Sequence, residues 1–337
     1  MKPFLVDVPV RINIWIRPEC QRKQFEILKQ ARPSILFLIS DGGRNEKEWE
    51  AIHKNRAIFD TEIDWECTVY KLYEEKNNGL YAMGKKMSAL VWEKVDRCIF
   101  LEDDVLPSLS FFRYCKELLD RYENDPRVSA ICGMNHLGVY EEATSDYFFS
   151  RQGSIWGTAL WKRTILQRDP EFRYNDPYTL KLLKQRTRHN KPYWKKLNLY
   201  LQQEYVDGHV AGGEFWHDFN MYGHNQVWIV PKKNMICNIG CTEDSVHASE
   251  LKKMPKGSRQ MFNMKTYELD FPLKHNDYVI PDVDYEKRRN RVLGYCYPMV
   301  KFYRGVEGAI RHFIYGDFKK IIKQRVKKSK GDQCIEK

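Results

Sequence analysis

The sequence contains no apolar run of the roughly 18 to 20 residues needed to span a bilayer, so it offers no transmembrane helix. Residues 1–15 lack both an apolar core segment and a small-residue cleavage site, the marks of a secretory leader, and the expectation is a cytoplasmic protein, soluble or peripheral. None of the nine cysteines forms a Cys-x-x-Cys pair and several lie inside apolar runs, which predicts reduced, mostly core thiols. Cys237 and Cys241 are close enough to share a metal, but no second pair or His doublet completes a structural zinc set. Internal repeats and low-complexity stretches are also missing, and the composition excludes a disordered tail, a collagen-like fibre and a disulfide miniprotein.

What is present is a chain of 337 residues, 42% hydrophobic and 14% aromatic, long enough for one large α/β domain or two smaller ones. Its formal charge of +11 is unevenly placed. Residues 1–284 carry 41 basic and 40 acidic side chains, whereas residues 285–330 carry 14 basic and 3 acidic. A second basic block, residues 162–196, holds 11 basic and 3 acidic residues between acidic neighbours. The high pI therefore describes a C-terminal segment and not the body of the protein.

Over the first 135 residues, β-rich runs alternate with amphipathic helical stretches. Strands are predicted at Val10 to Ile16, Ser34 to Ser40, Glu66 to Leu72, Arg97 to Leu101 and Val128 to Cys132. Helices are predicted over 19–31, 45–58, 80–93 and 108–124. Such alternation implies βαβ crossovers and a mostly parallel sheet flanked by helices, with ligands at the carboxyl ends of the strands. After residue 135 the alternation breaks into a tryptophan-rich stretch, the basic block, a glycine-rich stretch at 211–223 and a short strand from Val227 to Val230. The expected division is a half of alternating strands and helices (1–135), an elaborated half (136–284) and a basic amphipathic helical tail (285–337).

The strand ends carry polar residues: Arg17, then Asp41-Gly42-Gly43-Arg44, then Asn78-Gly79, then Glu102-Asp103-Asp104. Three adjacent carboxylates repel one another unless a cation or hydrogen-bond donors neutralise them, and hard ions such as Mg²⁺ or Mn²⁺ favour carboxylate and phosphate oxygens together. The plainer alternative is an Asp capping the next helix beside solvated neighbours. The strand-end position favours the metal reading. A strand-end Arg is often only a surface residue and Asp-Gly-Gly only a turn, but these pieces converge on one sheet edge.

In this context the chain resembles a nucleotide-sugar glycosyltransferase of the GT-A fold, in the branch of N-acetylglucosaminyltransferase I and bacterial surface-polysaccharide transferases. The matching pieces run in order from Ile16-Arg17-Pro18-Glu19 and Ile39-Ser40-Asp41-Gly42-Gly43-Arg44 through Asn78-Gly79 and Ile99 to Ser108. Phe149-Ser150-Arg151, Trp156 to Trp161, Pro231 to Asn234, Asn238-Ile239-Gly240 and His247 follow. The resemblance implies a UDP-linked donor, with Asp104 on its metal, Mn²⁺ or Mg²⁺, Asp103 and Glu102 at ribose and sugar, and Arg17 and Asp41 holding the nucleoside.

Inverting transfer needs a carboxylate base for the acceptor hydroxyl. Asp218, in Trp216-His217-Asp218-Phe219, is the candidate and Glu214 the fallback; the alternative is an ordinary surface helix after Gly212-Gly213. His247 is a candidate second metal ligand, or else a hydrogen-bonded structural residue. Trp156 is expected near the substrate and Trp161 in packing.

The block Lys181 to Lys196 lies where an acceptor would arrive, and either binds a saccharide or lipid-linked glycan bearing phosphate or is a solvated loop. In the tail, Lys319, Lys320, Lys323 and Arg325 alternate with Phe318, Ile321, Ile322 and Val326 at helical spacing, which suits an anionic membrane surface on the inner face of the cell membrane. No nucleic-acid recognition motif accompanies the charge. Two other readings remain: a catalytically silent scaffold of the same fold, and a sugar nucleotidyltransferase. The second expects a glycine-rich phosphate loop after the first strand, where Ile16-Arg17-Pro18-Glu19 stands instead.

Overall fold

A computed structural model describes residues 1–167, 176–187, 217, 220–241, 248–294 and 297–315. The first 132 residues follow the expected alternation: β1 (Val6–Ile14), α1 (Pro18–Ala31), β2 (Pro33–Ser40), α2 (Glu46–Thr61), β3 (Thr68–Tyr73), α3 (Gly79–Lys94), β4 (Arg97–Leu101), β5 (Val105–Pro107), α4 (Ser110–Arg121) and β6 (Val128–Cys132). There follow β7 (Tyr147–Ser150), β8 (Thr158–Trp161), α5 (Lys162–Leu166), α6 (Pro177–Arg186), β9 (Val227–Pro231) and β10 (Ile236–Asn238). The last described elements are α7 (Ala248–Lys253), α8 (Lys256–Arg259), α9 (Val283–Leu293) and α10 (Pro298–Ile314).

Eight strands form one sheet in the order β3-β2-β1-β4-β8-β6-β9-β7. The β3-β2-β1-β4 half is wholly parallel, while β8 and β7 run antiparallel to their neighbours. This is the helix-flanked, mostly parallel α/β sheet expected. One face carries α1, α2 and α4, through Phe25, Leu28, Phe59, Phe111, Phe112 and Leu118. The other carries α3, α6 and α9, through Met83, Trp92, Leu183 and Tyr285. Burial of both faces is why the parallel strands read as near-continuous apolar runs.

Parallel register brings the carboxyl ends of four strands to one edge: Ile14 lies beside Ser40, Ser40 beside Tyr73, and Ile12 beside Leu101. Several sequence boundaries move, two elements among them bearing on the site. The first strand spans Val6–Ile14, not Val10 to Ile16, with a register shift between Val6 and Pro9, where proline has no N–H to give to the ladder. Ile16 and Arg17 thus belong to the connection, with Arg17 at the N-cap of α1. The predicted helix over 108–124 is shorter, Ser110–Arg121: Val105–Pro107 forms a two-stranded antiparallel ribbon with Ile236–Asn238, and the Ser108 N–H continues it to the Met235 carbonyl at 2.8 Å before the helix begins. Four of the described cysteines, Cys20, Cys98, Cys115 and Cys132, are buried, Cys67, Cys237 and Cys241 are half-buried, and all seven are free thiols.

Candidate functional site

The acidic turn between β4 and β5 is held from three sides. Buried Gln24 on α1 donates from Nε2 to the carbonyls of Glu102 and Val105, both at 2.8 Å. The Ile239 N–H donates to the Asp104 carbonyl at 2.9 Å, extending the ribbon that joins β5 to β10. Asn238 donates from Nδ2 to Asp104 Oδ1 at 3.3 Å and accepts the Gly240 N–H on its own Oδ1 at 2.9 Å. A Cβ on Gly240 would stand 2.1 Å from Asp104 Oδ2, so only glycine lets the carboxylate lie there.

Asp103 and Asp104 aim at one point. Arg17 Nη1 sits 2.8 Å from Asp104 Oδ2 and 3.2 Å from Asp103 Oδ2, with all three side chains a quarter exposed or less. Burial pushes the Asp103 carboxyl up to about 6; Arg17 pulls it down and Asp104 pushes it up again. Two oxygens converging on one monovalent cation form a hard-oxygen position that also fits a divalent ion, provided a ligand completes the shell. Among the described residues no group of three or more His, Cys, Asp or Glu gathers to hold a metal, so substrate oxygens would have to do so.

Next to Asp103 opens a cavity of 330 Å³, lined by Asn13, Trp15, Ile39, Asp41, Gly79 and Met83, among others. Its rim is a loop built on Asp41. The carboxylate accepts the N–H groups of Gly42 (2.9 Å), Asn78 (2.9 Å) and Gly79 (2.8 Å), and the side-chain amides of Asn77 (3.3 Å) and Asn78 (3.2 Å). Its acceptor capacity is spent on the loop. Asp41 therefore joins the loops after β2 and β3, and Arg56 reinforces the joint by donating to the carbonyls of Ser40, Asp41 and Glu74. Gly42 is required by close approach, since a Cβ would lie 2.5 Å from the Lys76 carbonyl carbon, and Gly79 starts α3 at φ 79°.

Of the residues expected from sequence, Arg17, Asp103 and Asp104 meet directly, and Asp41, Gly42, Asn78 and Gly79 form the adjoining rim. Glu102 stands apart. Its charge bears on Arg11, a buried guanidinium in β1 that lies 5.0 Å over the Phe100 ring and 3.0 Å from Asn13 Oδ1. Trp156 is half-buried with its ring 5.4 Å from Phe262. Trp161 is packed in the core, with its indole N–H given to the Leu119 carbonyl at 3.2 Å, as expected. Asp218, Glu214 and His247 lie outside the described residues, as do positions 188–196 of the basic block and 316–337 of the tail. Gln24, Asn13, Asn238 and Gly240 are the residues sequence reasoning missed as site residues. Asn13 carried one signal, Arg11 and Asn13 being polar at period two within an apolar strand, and Asn238 and Gly240 carried another as part of the Asn238-Ile239-Gly240 match.

No family model matches the sequence, and no curated protein matches it. Among solved structures, it is similar to a mannosyltransferase from Pyrobaculum calidifontis in complex with GDP-Man and Mn²⁺, with 10% identity, 74% of this chain and 64% of that chain covered, and a TM-score of 0.40. The match thus spans less than two thirds of that protein. It is also similar to mouse xyloside xylosyltransferase 1 in its apo form, with 13% identity, 82% and 100% coverage and a TM-score of 0.34. Mannose-1-phosphate geranyltransferase from Thermus thermophilus gives 12% identity, 70% and 76% coverage and a TM-score of 0.27. At these scores the likeness decides nothing about what this chain binds.

Proposed function

We propose that the chain is a metal-dependent glycosyltransferase that moves a sugar from a nucleoside-diphosphate donor to a saccharide or lipid-linked glycan acceptor. The observation that carries this reading is the convergence of Asp103 and Asp104 on a single cation position at the lip of a cavity suited to a nucleoside. A cavity with apolar walls (Ile39, Met83, Trp15) and polar rim groups suits a base and ribose, and the adjacent carboxylates suit Mn²⁺ or Mg²⁺ shared with the diphosphate. The ion, when bound, neutralises charge on the departing nucleoside diphosphate. The rest is work for the chain's own side chains. Gln24, Asn238 and Gly240 fix the carboxylates, Asp41 fixes the cavity rim, and Arg17 is placed to meet diphosphate oxygens once an ion takes the carboxylates.

In finer detail, the donor is UDP-linked, the sugar a hexose or N-acetylhexosamine, and the outcome inverting, with Asp218 as base, Glu214 in reserve and His247 completing the metal shell. Residues 1–135 bind the donor, 136–284 receive the acceptor through the basic block, and 285–337 hold the protein peripherally on the inner membrane face. A silent scaffold of the same fold is the second reading, favoured by one observation: Arg17 already pairs with both carboxylates of the acidic turn.

A thermal-shift panel of nucleotide sugars with and without Mn²⁺ separates the two. A transferase melts higher with nucleotide and Mn²⁺ together than with either alone, through linkage to the folded state. Asp104→Ala removes that joint shift and abolishes turnover while the chain stays folded. No joint shift for any nucleotide would refute the proposal.

A further inference from the structure

Far along the chain from the acidic turn, α8, α9 and α10 surround an open pocket of 480 Å³ whose lining includes Lys256, Arg288, Arg291, Arg304 and Gln260, with no carboxylate among its described lining residues. Glu142 reaches the exposed Arg288 at 2.6 Å, but no ion pair or side-chain hydrogen bond of Lys256 or Arg291 occurs among the described residues. Arg304 is built in. Its guanidinium donates to the Val292 carbonyl, and two glycines admit it: a Cβ on Gly257 would lie 2.4 Å from Nη2, and one on Gly294 would lie 3.0 Å from Nη1. Glu307 ties α10 to α8 by accepting the Lys256 N–H at 2.9 Å, and accepts Arg311 Nε of its own helix at 2.8 Å. The pocket is thus a concave cluster of cations with a fixed floor, chemistry that recognises a phosphate group.

The same helix exposes an apolar face. Met299, Phe302, Val306, Ile310 and Ile314 are all exposed, Phe302 at 63%, and α10 buries none of its seventeen residues. Such a face, about 25 Å long at 1.5 Å per residue, needs a partner. Charge selects it: cations line the pocket beside the apolar face, and the sequence continues into Lys319, Lys320, Lys323, Arg325, Lys327, Lys328 and Lys330. Apolar residues rimmed by cations fit an anionic bilayer.

We propose that this pocket seats the phosphate of an anionic phospholipid headgroup while the apolar face of α10 enters the acyl boundary. This rests on the membrane association proposed above and makes α10, with its pocket, the part that reads the lipid. It is separate from the donor site.

The test is co-sedimentation of the full chain with phosphatidylcholine vesicles carrying either phosphatidylglycerol or oleate, matched in surface potential. Wild-type protein is expected to bind the phosphatidylglycerol vesicles about tenfold more tightly. Lys256→Gln with Arg291→Gln, both exposed side chains, brings that binding down to the oleate level, whereas Arg291→Lys alone keeps the preference. Phe302→Asp with Ile310→Asp loses both vesicle types.

Equal binding to the two vesicles, or a preference that survives Lys256→Gln with Arg291→Gln, overturns the pocket and leaves membrane association standing. No binding to either vesicle overturns membrane association, and the lipid site with it. Glycerol phosphate that raises the melting temperature of wild type but not of the double variant, with no vesicle bound, assigns the pocket to a soluble phosphate and overturns the lipid source.

Discussion

Under the proposed function, a divalent ion would have to displace Arg17, the cation already paired with the acidic turn. Its Nη1 lies 2.8 Å from Asp104 Oδ2 and 3.2 Å from Asp103 Oδ2 in a mostly buried setting. At about 4 Å between charge centres and an effective dielectric near 20, each pair attracts by roughly 4 kcal/mol, but water recovers most of this when the arginine leaves. The net worth of a hydrogen bond to a charged group, about 1.5–3 kcal/mol, is the better guide to what displacement costs. Arg17→Ala should therefore tighten Mn²⁺ binding in the absence of nucleotide by about 1.5–3 kcal/mol, or roughly 10- to 150-fold. Free Mn²⁺ can be followed by its paramagnetic resonance signal during titration, best at pH 8. The pH matters because losing Arg17 removes a charge that holds Asp103 down, so its carboxyl rises from about 6 and protons compete more strongly near neutrality. The same substitution should weaken nucleoside diphosphate binding in the presence of Mn²⁺, because the freed arginine no longer meets the diphosphate. Unchanged or weaker Mn²⁺ binding by a folded Arg17→Ala protein at pH 8 would refute the displacement argument.

Asp103→Asn should stabilise the metal-free protein at pH 7.5 by about 1–3 kcal/mol. Asp103 is raised from 3.8 to about 6 on folding, so between those values the folded state binds more protons and stability falls as pH rises; urea unfolding should show the gain above pH 6 and lose it by pH 4. Gly240→Ala should cut Mn²⁺ affinity at least tenfold in calorimetry, since the new Cβ occupies the place of Asp104 Oδ2, 2.1 Å away. Asp41→Ala leaves three loop N–H groups without their acceptor, which should cost about 2–3 kcal/mol in urea unfolding and weaken nucleotide binding more than metal binding; equal losses of both would place Asp41 in the metal site itself.

The parallel half of the sheet was legible because each of its strands carries its own local signal. Pro33–Ser40 and Arg97–Leu101 are apolar runs bounded by polar turns, the second where the sequence places it and the first within one residue of it. The acidic turn was legible for the same reason. Asp41 shows the limit of such reading. Asp-Gly-Gly at a strand end implies a carboxylate facing a ligand, but the Asn78 and Gly79 N–H groups that take up its oxygens arrive from 37 and 38 residues away, from the loop after a different strand.

The ribbon between Val105–Pro107 and Ile236–Asn238 was illegible for a stronger reason. Three residues carry no period, and their partner lies about 130 positions away, so no local propensity separates them from the start of a helix. Yet this ribbon orders the acidic turn: through Asn238, Ile239 and Gly240 it fixes both the carbonyl and the carboxylate of Asp104. The geometry of the acidic turn, and of the metal position proposed there, thus depends on the late segment as much as on the triplet. Substitutions around residues 236–240 should therefore shift metal affinity before they shift overall stability. The buried β1–β4 core behind the turn, with Val10, Ile12, Ile99 and Leu101 fully covered, does not need the ribbon to hold its strands together.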